Sequence, residues 1–111
     1  MIQKTQNASI FKIESKYIDI LSMGSFEREL ESILSTTTRN IFLDFSEVEE
    51  VSSAVLGILI HKKVKMKKKG IEIYLLNTSK SIERILKILK LTSLLLSSNT
   101  IDAENFYAKA V

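Results

Sequence analysis

Asp44-Phe45-Ser46-Glu47-Val48-Glu49-Glu50-Val51-Ser52-Ser53-Ala54-Val55-Leu56-Gly57-Ile58-Leu59 is the stretch on which the fold turns. It follows the apolar run Ile41-Phe42-Leu43, crosses a polar connection with two apolar anchors, Val48 and Val51, and enters a helix through two adjacent serines. Ile41–Leu43 is short and almost continuously apolar, as in a strand covered on both faces of a sheet, and so predicts a central strand. The helix is expected from about Ala54 to Lys69, with Leu56, Leu59, Ile60 and Val64 as its buried stripe and Gly70 as its stop. Read locally, Ser52 and Ser53 are helix caps, since serine is a favoured N-cap.

On the N-terminal side, Ile2–Gln6 and Ser9–Glu14, separated by Asn7-Ala8, suggest an opening hairpin. Tyr17–Leu21 extends towards a turn at Ser22-Met23-Gly24. A helix then follows, capped by Ser25, with Phe26, Leu30, Ile33 and Leu34 at i, i+4, i+7 and i+8. Glu27 and Glu29 in its first turn suit the positive end of a helix dipole.

On the C-terminal side, Glu72–Leu76 reads as a strand and Asn77-Thr78-Ser79 as the cap of a third helix whose apolar face is Ile82, Ile85, Leu86 and Leu89. Two consecutive strand-helix units favour parallel pairing through right-handed crossovers. Leu94–Leu96 is expected as a last short strand, and Ile101–Ala110 as a closing helix. The result is an α/β fold, a mixed and mainly parallel sheet with about four helices packed against it.

Composition narrows the function classes. The chain has 111 residues, of which 45% are hydrophobic and 26% charged, a size that suits one domain spanning 1–111. With no cysteine there is no disulfide framework, thiolate metal site or cysteine nucleophile, and His61 is the single histidine. No cofactor or metal is expected, and the chain reads as a non-enzyme. The first residues lack the regions of a signal peptide, and no apolar run approaches the ~20 residues of a membrane span, so a cytoplasmic location is expected.

The net charge of +3 is concentrated in Lys62, Lys63, Lys65, Lys67, Lys68 and Lys69. No aromatic platform is interleaved with them, and lysines at a helix C-terminus are favoured by the dipole. A solvated helix end is therefore the reading preferred over binding to nucleic acid or to an acidic membrane surface. Glu47, Glu49 and Glu50 form an acidic rim before the serines, expected to be solvated. Ile58 is expected on the face of Lys62, Lys65 and Lys69, opposite the buried stripe, and so as an exposed contact residue.

These residues resemble the STAS domain, the fold of bacterial anti-sigma factor antagonists. Leu43-Asp44-Phe45-Ser46 with Val48 is similar to the strand end and polar link of the family's central motif. Ser52-Ser53-Ala54-Val55-Leu56-Gly57 matches, without a gap, its Asp-Ser-(Ser/Ala/Thr)-Gly-Leu-Gly entry into a helix. Ile18-Asp19 with Phe26 and Leu30, and Lys69-Gly70-Ile71-Glu72 through Ser79, Ile85-Leu86 and Leu91, are similar to further family segments. The resemblance implies that Ser53 is the phosphorylated serine. Ser52 stands where the family has aspartate and Val55 where it has glycine, and Asp19 matches an acidic residue near the phosphorylation site. It also implies a protein-interaction module that binds an anti-sigma factor/serine protein kinase, through Asp19, Ser52, Ser53, Val55 and Ile58, and is released by phosphorylation. The alternative it leaves is a non-phosphorylated STAS subunit that stabilises a larger assembly such as an ABC-type transporter ATPase. No direct nucleic-acid binding and no membrane insertion are expected.

Overall fold

A computed structural model of the chain describes residues 2–92 and the backbone of Leu95–Ser97. The expected closing helix at 101–110 lies outside these residues. In chain order the elements are β1 (Ile2–Lys4), β2 (Ile10–Ile13), β3 (Tyr17–Ile18), α1 (Ile20–Thr36), β4 (Ile41–Asp44), β5 (Glu50–Val51), α2 (Ser53–Lys67), β6 (Ile73–Leu76), α3 (Lys80–Ile88) and β7 (Leu95–Ser97).

The main sheet has the order β1-β2-β4-β6-β7, with β1 antiparallel to β2 and every other neighbour parallel. β4 is its central strand, and Ile41, Phe42, Leu43 and Asp44 are all buried, as the apolar run predicts. Strand residues alternate between two faces. Phe11, Ile13, Ile41, Leu43, Ile73 and Leu75 face the core shared with the three helices, while Ile10, Phe42 and Leu76 form a second, smaller cluster on the other face. There Phe42 stacks on Tyr74 with ring centroids 5.4 Å apart.

The first helix starts earlier than its apolar pattern suggests. Asp19, not Ser25, is the N-cap, and its side chain accepts from the Leu21 and Ser22 backbone amides while the Ser22 side chain returns the bond in a capping box. The extended segment of Tyr17–Leu21 thus stops at Ile18. Ile20 and Leu21 add nothing to the buried face of Phe26, Leu30 and Leu34, so periodicity could not place them in the helix.

The second helix is rotated from its expected face. Its buried residues are Val55, Leu56, Leu59, Lys62 and Met66, and Val64 is 54% exposed. Apolar residues occur on nearly all sides of this helix, so period alone selects no face. A lysine completes the buried one, because the Lys62 Nζ meets the Glu31 Oε2 of α1 at 2.5 Å. In α3 the buried residues are Ile82 and Leu86, whereas Leu89, expected on that face, is the 47% exposed residue that ends the helix. Gly70 stops α2 as expected: its φ of +76° lets its amide donate to the Lys67 carbonyl and the Ile71 amide to that of Met66.

Glu31 also receives the Lys65 Nζ at 3.2 Å. The hydrogen bonds from Lys62 and then Lys65 hold its carboxyl below the ordinary value of 4.5. A depressed folded-state pKa contributes stability above the unfolded value and loses it as pH falls through the folded one. Glu31→Gln is expected to cost about 1 kcal/mol at neutral pH, a figure kept small because the carboxylate is half open to water. Urea titrations read the difference from wild type, which should shrink as pH drops below 4.5. A difference that stays constant from neutral to acid pH would contradict the ion pair.

Candidate functional site

The pair of two-residue strands outside the main sheet builds the site. β3 and β5 run parallel with Tyr17 opposite Glu50 and Ile18 opposite Val51. The ladder continues by one bond, from the Ser52 amide to the Ile18 carbonyl at 2.9 Å. In each strand an apolar residue is followed by a capping residue, Ile18 by Asp19 and Val51 by Ser52, and each cap starts a helix. The parallel register therefore sets the N-termini of α1 and α2 side by side.

At α2, the Ser52 Oγ accepts from the Val55 amide at 3.3 Å, so the local reading of Ser52 as a cap holds. Ser53 is the first helical residue and its side chain is exposed. The amides of Ser53 and Ala54 precede the first intrahelical bond and have no partner within the helix. At α1, the Asp19 Oδ1 accepts from Leu21 N at 3.0 Å and Ser22 N at 3.1 Å, leaving an exposed carboxylate at the rim. An anion on Ser53 would thus meet the positive ends of two helix dipoles and open amides, with the Asp19 charge nearby.

The loop between β4 and β5 is tied down from below. Asp44, 9% exposed, accepts at Oδ1 from Ser46 N at 2.9 Å and from Asn77 Nδ2 at 3.1 Å. Asn77 adopts a φ of 56°, a left-handed conformation that asparagine tolerates better than most residues. The Ser79 Oγ donates to the Glu49 carbonyl at 2.7 Å while accepting from Ile82 N, so the cap of α3 also holds the loop. Phe45, Val48 and Val51 anchor it in the core. Within the acidic rim, Glu47 reaches Lys12 at 3.9 Å and Glu49 reaches Lys16 at 3.7 Å; both pairs are exposed and weak.

The geometry brings together Asp19, Ser52 and Ser53 but not the other two expected contact residues. Val55 is fully buried, so its side chain belongs to the core and offers nothing to a partner. Ile58 is half-buried. It shares its side of the helix with Lys62 and Lys65, which are drawn to Glu31 of α1, so the face expected to be solvated is turned towards the neighbouring helix. The residues that sequence reasoning missed are Ile20 and Leu21, 71% and 93% exposed in the first turn of α1, beside the α2 N-terminus. The signal was available: Asp19 followed three residues later by Ser22 is a capping pattern that would have started the helix at Ile20 and left Leu21 off its buried stripe.

Among the described residues no group of His, Cys, Asp and Glu could hold a metal ion. His61 is exposed on α2, eight residues beyond Ser53 and so about 12 Å along the axis. No helix of the described residues is long and apolar enough to cross a membrane.

The family model described as the STAS domain matches residues 1–104. Among solved structures, the anti-sigma factor antagonist SpoIIAA in its unphosphorylated form superposes with a TM-score of 0.76, at 11% identity, over 100% of this chain and 97% of that one. A candidate anti-sigma factor antagonist from Thermotoga maritima superposes with a TM-score of 0.69, at 18% identity, over 86% of this chain and 81% of its own. At these identities the two structures speak for the fold.

Proposed function

The chain belongs to the STAS domain family, and from that premise we propose that it is a cytoplasmic, non-enzymatic regulator of the anti-sigma factor antagonist type. In this reading it binds an anti-sigma factor that is also a serine kinase, and phosphorylation of Ser53 ends the complex. The observation that carries the proposal is the placement of Ser53: exposed, first in its helix, with open amides beside it and a second helix N-terminus, capped by Asp19, alongside.

The physical logic has two parts. Phosphorylation adds a charge of roughly −1.5 to −2 and three acceptor oxygens. Within this chain that charge is accommodated, because it sits at the positive end of α2. Against a partner it is costly, since a complex formed over Ile20, Leu21 and Ser53 would have to strip water from the phosphate. Asp19 adds a like charge to the same rim. The switch therefore acts on the complex and leaves the fold in place.

Incubation of the protein with its partner kinase and ATP is expected to add one phosphate, detected by intact mass, and Ser53→Ala is expected to abolish it. Labelling that persists in Ser53→Ala would overturn the assignment of the site.

A further inference from the structure

The parallel topology sorts charge along the molecule. Helix N-termini and the C-termini of the parallel strands gather at the Ser53 end, with Asp19, Glu47, Glu49 and Glu50 around them. Helix C-termini and strand starts gather at the opposite end, as the Ile41 amide to Glu72 carbonyl bond of 3.0 Å and the Glu72 amide to Asn40 Oδ1 bond of 2.9 Å show for two of the returning loops. Lys67 ends α2 there with Lys68 and Lys69 in the turn that follows, Arg39 lies in the loop after α1, and Lys87 and Lys90 flank the end of α3; all are exposed. Lys4 joins them through its pairing with Phe11 near the start of β2.

Among the described residues, the carboxylates at that end are already engaged. Glu72 is held by Lys63 at 3.0 Å, and Glu31, on the approach, is held by Lys62 and Lys65. Lys4 and Arg39 line a cleft of about 440 Å³ whose lining, among the described residues, contains no carboxylate and has Phe11 and Ile33 among its apolar residues. The end also exposes apolar side chains: Ile88 is 72% and Leu89 47% exposed, set between Lys87 and Lys90. The acidic rim is about 25 Å away along α1, well beyond a Debye length at physiological salt, and does not cancel this field.

We propose that this basic end docks the protein on the surface of an anionic bilayer, with the Ser53 end facing away. Exposed lysines contribute about 1 kcal/mol each near such a surface, and apolar side chains that enter the headgroup region add a second, salt-resistant contribution. Ile88 and Leu89 favour this over a single-stranded nucleic-acid surface, where a row of stacking aromatic side chains is expected instead. Tyr17, the exposed aromatic among the described residues, is at the other end. The cleft between Lys4 and Arg39 gives a lipid phosphate a place to sit.

The test is sedimentation of the full chain with vesicles of phosphatidylcholine alone and of phosphatidylcholine with about one third phosphatidylglycerol. Binding is expected only to the anionic vesicles. Lys67→Gln, Lys68→Gln and Lys69→Gln together should lower the partition coefficient about a hundredfold. Ile88→Ser with Leu89→Ser should lower by about tenfold the binding that remains at about 0.5 M salt, where charge contributions are screened. All five positions are exposed, so thermal unfolding should be little changed. No binding to anionic vesicles at low salt overturns the proposal. So does vesicle binding untouched by the Ile88 and Leu89 substitutions in a protein that binds duplex DNA equally tightly.

Discussion

Phe45→Ala lowers the stability of this protein by about 3–5 kcal/mol, the range for removing a fully buried phenylalanine. The ring is 0% exposed and sits at the end of the central strand, under the loop that carries β5. Its backbone is equally committed, with the amide donating to the Leu76 carbonyl and the carbonyl accepting from the Val48 amide, both at 2.9 Å. The backbone therefore cannot collapse far into the space left by the ring, and a cavity persists. Against a total of about 5–15 kcal/mol for a domain of this kind, the loss consumes a large share. The urea midpoint should fall by about 2 M. Phe45→Leu keeps most of the volume and should cost only about 1 kcal/mol. Because β5 sets the position of Ser52 through its pairing with β3, the alanine variant should also weaken partner binding at temperatures where it remains folded. A loss below about 1 kcal/mol would mean that the ring contributes little to the core.

The same loop explains what the sequence made legible. Ile41–Leu43 announced a buried central strand because three consecutive apolar residues put apolar side chains on both faces, and all three are buried. Val48 and Val51 stood out as apolar anchors in a polar link, and both are buried. The STAS resemblance was carried by Asp44, Ser52-Ser53 and their spacing, and the family match and the fold agree with it. Tertiary choices were not legible. The buried side of α2 is set by the packing of Val55, Leu56, Leu59 and Met66 and is completed by Lys62 meeting Glu31 on another helix, 31 residues away in sequence, and no local period encodes that. Two-residue strands such as β3 and β5 are too short for alternation to reveal, yet their pairing brings Asp19 beside Ser52. Gly24 looked like a turn because glycine usually punctuates, whereas here the Asp19 capping box carries the helix through it.

Ser53→Asp is expected to weaken partner binding by about a hundredfold while leaving the melting temperature unchanged or slightly raised. The two halves of that expectation come from the same charge. At the first turn of α2 a carboxylate interacts favourably with the helix dipole, by about 0.3–1 kcal/mol at an exposed site, so the fold gains or is indifferent. In a complex that covers Ser53, the same carboxylate is buried without a counter-ion, and uncompensated charges at interfaces typically cost several kcal/mol. Leu21→Ser separates charge from contact. Leu21 is 93% exposed, so its replacement should shift stability by less than about 0.5 kcal/mol. If the surface beside Ser53 is the contact, that variant should weaken binding about tenfold, without altering the salt dependence that charge would bring. Pull-downs with wild type and the two variants, quantified by titration against the recovered partner, distinguish the outcomes. Loss with both is the behaviour of a phosphorylation-controlled contact. Loss with Leu21→Ser but full binding by Ser53→Asp describes a contact without a switch, as in a subunit built permanently into a transport ATPase, and rejects Ser53 as the control point. Full binding by both variants would move the interface away from the paired helix N-termini altogether.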